Sequence, residues 1–405
     1  MPRSGLTALH APRARRIGGA LLAGGLVTAL LLTAAGADDG ARSGPAAADG
    51  LRHTGIEVSP SHCGRGWQHP RPGTQVFDLH NTSDAAAEVY LLTPGNGAVH
   101  GEVEGIGPGT TRQLRVRLGQ GTYAFRCLPD DTDAITGPTV RVRGGGPGGP
   151  AAAPVTEHDL IPPALEYQKW VATGLDDLVR RTGRLRDAVA RGDLAAARTD
   201  WLSAHLAYER LGAAYGTFGD ADGKINGTDA GLPGGVRDPA FTGFHRIEYG
   251  LWHDRSAGTL RAPAAGLVDE VKTLRDDWAQ ARMEPRDLGL RAHEILENTL
   301  QFELTGRTDY GSGSNLATAR ANLDGTRAVL SRLRPLLVGR YPELPQVEDE
   351  LKRAQELLDG FRRDGRWTPL DDLDRRPRER IDALVGDLVE RLASVATLCD
   401  ARRTA

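Results

Sequence analysis

One run of glycine, proline and alanine, Gly144 to Pro154, constrains this chain more than any other feature. Glycine loses the most backbone entropy on ordering, and proline lacks an amide donor. Such a run sustains neither helix nor strand, so the chain must fold as separate parts on either side of it. At 405 residues, two or three domains are expected in any case.

The two sides carry different periodicities. Before the run, Gln75 to His80, Gln113 to Leu118 and Thr139 to Val142 alternate apolar and polar residues. Pro72-Gly73, Pro94-Gly95, Pro108-Gly109 and Gly119-Gln120-Gly121 punctuate them. This pattern predicts a small β-sandwich over 53–143. After the run, apolar residues recur at helical spacing. Asp176 to Val189 ends at Gly192, and Asp193 caps a helix over 194–215. Further helices are predicted over 239–252, 266–282, 287–304, 314–338, 345–359 and 375–399. Short connections between long amphipathic helices imply an all-α antiparallel bundle over 156–405, with 144–155 as the linker.

The N-terminus reads as a targeting segment. Arg13, Arg15 and Arg16 precede an apolar run, Ile17 to Ala35, which ends in Ala35-Gly36-Ala37. This predicts a signal peptide over 1–37, cut after Ala37, and a flexible tether over 38–52. An uncleaved anchor is the alternative, because the run is long enough to span a membrane. The formal net charge of -3 gives no electrostatic case for nucleic acid or an anionic membrane. Three cysteines, Cys63, Cys127 and Cys399, are too few for a disulfide scaffold.

Chemistry concentrates in Gly243-Phe-His245-Arg-Ile-Glu248. Residues three apart on a helix leave the same face, so an imidazole and a carboxylate can converge on one metal ion. Alone, H-x-x-E is a weak signal. His205 and Glu209 sit one turn apart on another predicted helix. Asp220 and Asp222 occupy the connection between the two. The competing reading is a buried polar network, with Glu248 pairing a neighbour and His245 hydrogen-bonded in the core. His293, Glu294 and Glu297 form a second cluster, better read as an exposed charged face.

In the β part, Cys63 and Cys127 are either a disulfide or two thiolate ligands. Glu88, His100, Glu102, Glu104, Asp130 and Asp131 accumulate in the neighbouring segments. Leu128-Pro129-Asp130 follows Cys127 without histidine or methionine, which argues against a blue-copper site. Oxygen-rich donors suit Fe(III), or a mixed site tolerant of Cu(II).

These residues carry a resemblance. Phe241 to Trp252 is similar to the G-x-H-x-x-E segment of imelysin-like (peptidase M75) domains, in the form found in the EfeO family. Ala207-Tyr-Glu209-Arg-Leu211, Gly313-Ser-Asn-Leu316 and Ala321-Asn-Leu-Asp-Gly325 resemble that family too. The resemblance implies an export signal, a cupredoxin-like domain and an imelysin-like domain. It implies an extracytoplasmic iron-binding protein, periplasmic or on the outer side of the cytoplasmic membrane. Its partners would be a membrane iron permease and a Dyp-type haem peroxidase. It implies metal ligands at His245, Glu248 and Glu209, and at Cys63, Cys127, Glu88 and Glu104. Many relatives have an acid where this chain has Asn226, so Asp222 or Asp229 would substitute. The cargo would be Fe2+ or Fe3+, with Cu2+ or Zn2+ as alternatives. A secreted zinc metallopeptidase using H-x-x-E and a copper-binding cupredoxin-like protein are the competing functions. H-E-x-x-H is absent and no general base is evident in the sequence, so a non-enzymatic role is expected.

Overall fold

The computed structural model describes residues 50–130 and 132–402. The expected signal peptide, most of the tether, and Asp131 lie outside the described residues. Eight strands come first: β1 (His53–Val58), β2 (Gly73–Asn81), β3 (Ala87–Leu92), β4 (Val99–Ile106), β5 (Thr111–Leu118), β6 (Gly121–Pro129), β7 (Ile135–Thr136) and β8 (Val140–Val142). One sheet runs β1-β2-β5, with β1 parallel to β2 and β5 antiparallel. The other runs β4-β3-β6-β7, and β8 pairs with β6. The alternating apolar residues of both sheets, among them Ile56, Phe77, Leu114, Val89 and Phe125, meet in one core.

Cys63 and Cys127 are joined in that core by a disulfide, with their Cα atoms 5.8 Å apart. This corrects the ligand reading, because sulfurs bonded to each other are not thiolates. Register separates the rest of the expected set. Cys127 pairs with Val89 and joins the shared core. Glu88 pairs with Leu128, which packs with Tyr90 in a cluster on the other face. Glu104 is exposed on β4. Side chains alternate along a strand, so the sheet itself stands between Cys127 and Glu88.

Ten helices follow: α1 (Glu157–Arg191), α2 (Leu194–Glu209), α3 (Tyr215–Phe218), α4 (Asp220–Asn226), α5 (Gly243–Trp252), α6 (Ala257–Asp277), α7 (Asp287–Asn298), α8 (Asn315–Leu337), α9 (Leu344–Asp359) and α10 (Arg375–Leu398). A capping box between Thr156 and Asp159 starts α1, and Gly192 in the left-handed region ends it. Asp193 then caps α2 through the amide of Ala196, as its sequence position predicts. The predicted 194–215 helix stops instead at Glu209. A short 3-10 turn and α3 complete that stretch.

The segment between the regions is tied down. Gly149 N donates to Arg117 O at 2.6 Å, and Ala152 forms a bridge with Val99. Arg340 donates to the carbonyls of Ala153 and Pro154. Arg402, beyond α10, makes two hydrogen bonds to Glu102 on β4, at 2.6 and 2.8 Å. Opposite charges at a half-buried site favour such a forked pair. The β and helical regions form one compact unit.

Candidate metal centre

The motif begins with a glycine because no other residue fits there. Gly243 has φ +72°, and a Cβ on it would lie 2.2 Å from the carbonyl oxygen of Ile225. That close approach seats the start of α5 against the end of α4. Thr242 Oγ1 adds a hydrogen bond to Lys224 O at 3.0 Å. The contact brings Asp222 and Asn226 of α4 to the same cavity as His245.

His245 and Glu248 are both buried, and they meet different partners. Glu248 Oε2 lies 3.2 Å from His245 Nδ1. Its Oε1 accepts from the amides of Tyr310 (3.1 Å) and Ser312 (3.2 Å) and from the Ser312 hydroxyl (2.5 Å). Burial alone would raise the Glu248 pKa. The hydrogen bond and charge of His245, with the Ser312 hydroxyl, outweigh burial and hold it below the ordinary value. An ionised carboxylate only accepts, so Nδ1 carries a proton, and when the ring is neutral Nε2 presents its lone pair. Among the described residues, Nε2 makes no hydrogen bond.

A cavity of about 540 Å³ opens beside this ring. Its acidic part is lined by Glu209, Asp222, His245 and Glu303, with Asn226 and Asn322. Asn226 donates to Glu209 Oε1 at 2.8 Å. Asn322, oriented so that its oxygen accepts from Thr299, places its nitrogen 3.2 Å from Glu209 Oε2. His205 Nε2 lies 3.1 Å from Glu209 Oε1, out of line for a hydrogen bond, and the contact is an ion pair when the ring is protonated. Burial raises Glu209, and the charge and contact of His205 outweigh it to leave its pKa low. The same carboxylate raises His205 against the opposing effect of burial. Tyr208 donates its hydroxyl to Asp222, and burial lifts the Asp222 pKa.

Glu303 completes the acidic group. It follows α7 in a π turn, Thr299–Glu303, which swings it into the cavity. Thr308 and Asn315 donate to it at 2.5 and 3.2 Å. Burial and the charge of Glu209 push its pKa up to about 7. Sequence reasoning passed over Glu303, because a regular helix would aim it elsewhere.

Among the described residues, no three His, Cys, Asp or Glu side chains are already drawn together as a metal cage. The donor types nonetheless fit a hard or borderline cation: carboxylates and imidazole around a polar recess. Buried acceptors at Asn226 Oδ1 and Asn315 Oδ1, and Nδ1 of His205, have no hydrogen-bond partner.

A family model for imelysin (peptidase M75) matches residues 164–395. The chain belongs to the imelysin family. It is similar to the iron uptake system component EfeO of Yersinia pestis, at 29% identity over 327 residues, 78% of this chain and 84% of that protein. Against EfeO of Escherichia coli strain K12 the identity is 27% over the same coverage. The EfeO resemblance read from the motifs is thus supported along most of the chain.

Within the imelysin domain, the other expected residues fall as follows. Asp229 lines the cavity and accepts from the Tyr310 hydroxyl at 2.7 Å. Asp220 starts α4 and is exposed. His293 is not on an open charged face; its Nδ1 lies 3.0 Å from Val389 O, in the contact between α7 and α10. Glu294 lines the cavity and pairs with Arg291.

The raised pKa of Glu303 has a sign. Between pH 4.5 and about 7 the folded state keeps a proton that the unfolded chain has released. Stability therefore falls as pH rises through that window. Glu303→Gln is expected to remove this slope and to stabilise the metal-free protein at pH 8 by on the order of 1–2 kcal/mol, with little gain at pH 4.5. Denaturant melts at the two pH values check it; an equal change at both would contradict it.

Proposed function

We propose that this chain is an exported iron-binding protein that captures iron and passes it to a membrane permease. The observation that carries this reading is His245. Its Nδ1 is held by Glu248, and its ring lines one cavity with Glu209, Glu303 and Asp222. A carboxylate behind a histidine fixes the tautomer that offers Nε2 to a metal. Glu248 then positions the ring, and Glu209 and Glu303 supply oxygen donors. Carboxylate-rich donors favour iron over the softer choices.

Further support comes from the relatives, which are named as components of an iron uptake system. The Arg-flanked apolar run supports export to the outer side of the cytoplasmic membrane. Among the described residues, no helix is long and apolar enough to cross a membrane. We read the two-sheet region as cupredoxin-like, and the permease and a Dyp-type haem peroxidase as partners. The copper alternative loses its thiolates to the disulfide.

The zinc-peptidase alternative gains one residue, Glu303, whose pKa of about 7 suits a general base. We favour the non-enzymatic reading, and chelator-sensitive cleavage of an unfolded substrate would overturn it. The direct test is calorimetric titration of Fe(II), under anoxia, into wild type and His245→Ala. The variant is expected to bind at least tenfold more weakly, about 1.4 kcal/mol. Equal affinities would refute the site.

A further inference from the structure

The cavity is much larger than one ion needs. Metal–oxygen and metal–nitrogen bonds of about 2 Å would draw donors into a small volume. A space of about 540 Å³ instead lies in the range of pockets for small organic molecules. Its lining also changes character away from the acids. Arg291, Glu294, Ile295, Asn298 and Phe302 form one face of α7 and its extension, and Arg307 follows on the next turn.

The two arginines are placed differently. Arg291 is paired with Glu294 and, at 3.5 Å, with Asp287. Its guanidinium lies against Gly216, where a Cβ would meet Nη2 at 2.8 Å. Gly216 thus leaves room for that planar group at the cavity wall. Arg307 is exposed and lines the same cavity. Among the described residues, its guanidinium makes no salt bridge within 4.0 Å and no hydrogen bond. A guanidinium matches a carboxylate with two parallel hydrogen bonds. One cavity therefore combines acidic groups and an imidazole, suited to a cation, with cationic groups suited to carboxylates.

We propose that this cavity takes iron as its complex with a small polycarboxylate, with Arg307 holding a carboxylate of the chelator. The proposal rests on the metal-site reading above and names the form in which the metal arrives. Free ions would be indifferent to Arg307 or mildly repelled by it. A chelate with an outward carboxylate would be attracted.

The test uses the full mature chain, wild type and Arg307→Gln, titrated with Fe(II) under anoxia and with ferric citrate. Arg307 is exposed, so the variant is expected to keep the wild-type melting temperature. It should bind ferric citrate about tenfold more weakly, the loss of roughly one charge-assisted contact. Its Fe(II) affinity should stay within twofold of wild type. Equal effects on both ligands, or no effect on ferric citrate, would overturn the chelate proposal. Wild type that binds Fe(II) but not ferric citrate would overturn it while leaving the metal site standing. Wild type that binds neither would overturn both.

Discussion

Glu248→Gln is expected to lower metal affinity 10- to 100-fold while keeping the fold, the range for losing the partner behind a metal-binding histidine. The reason is a proton rather than a lost ligand. In the wild type, the Glu248 carboxylate accepts from His245 Nδ1 and from three donors of Tyr310 and Ser312. A glutamine keeps one oxygen, which those three donors claim. Its amide nitrogen then faces Nδ1 and donates to it. Nδ1 becomes an acceptor, the ring proton moves to Nε2, and the lone pair turned to the cavity is lost. Nitrogen-15 spectra of the imidazole should show the tautomer exchanged, and titration should show the weaker affinity. An unchanged tautomer with unchanged affinity would remove Glu248 from the site.

Loss of the Cys63–Cys127 disulfide should destabilise the β region by roughly 4 kcal/mol. The two cysteines are 64 residues apart, and closing a loop of that length in the unfolded chain accounts for a stabilisation of that size. The bond also sits beside packed rings: Phe125 makes edge contacts with Trp67 and Phe77, with centroids 5.5 and 5.1 Å apart. Reduction, or the double variant Cys63→Ser with Cys127→Ser, should produce an early unfolding transition in the β region. The helical core includes none of these residues, so its own transition should persist. Denatured, non-reduced protein should give one titratable thiol, from Cys399. That thiol is buried in the native state, where its pKa is pushed up to about 12. Three reactive thiols would refute the disulfide.

Periodicity made the division of the chain legible, because alternation and helical spacing reflect burial directly. The cysteines were not decided, since two thiols in a chain expected to be exported can form a disulfide or hold a metal. Spacing placed His245 and Glu248 on one face correctly. It said nothing about which ring nitrogen each neighbour would take, because that depends on the loop at Tyr310 and Ser312, 62 to 64 residues away. The expected grouping of Cys127 with Glu88 failed on parity: with an odd separation in register, a strand sends them to opposite faces. Glu303 was invisible for a related reason. A regular α7 would carry 291, 295, 298 and 302 on the cavity face and turn 303 away. One π turn adds a residue and brings 302 and 303 to the same lining.

The pairing of Arg402 with Glu102 links residues 300 apart in sequence. It gives the molecule an order of completion. Every strand of the β region precedes the helices, so that region can close its own core and its disulfide while the bundle is still unmade. Its pairing with Arg402 waits for the residue after α10, which follows every helix of the bundle in sequence. Without Arg402 the β region would lose this pair while the contacts of Arg340 and Ala152 stayed, and a fusion joined close behind that residue would crowd the pair.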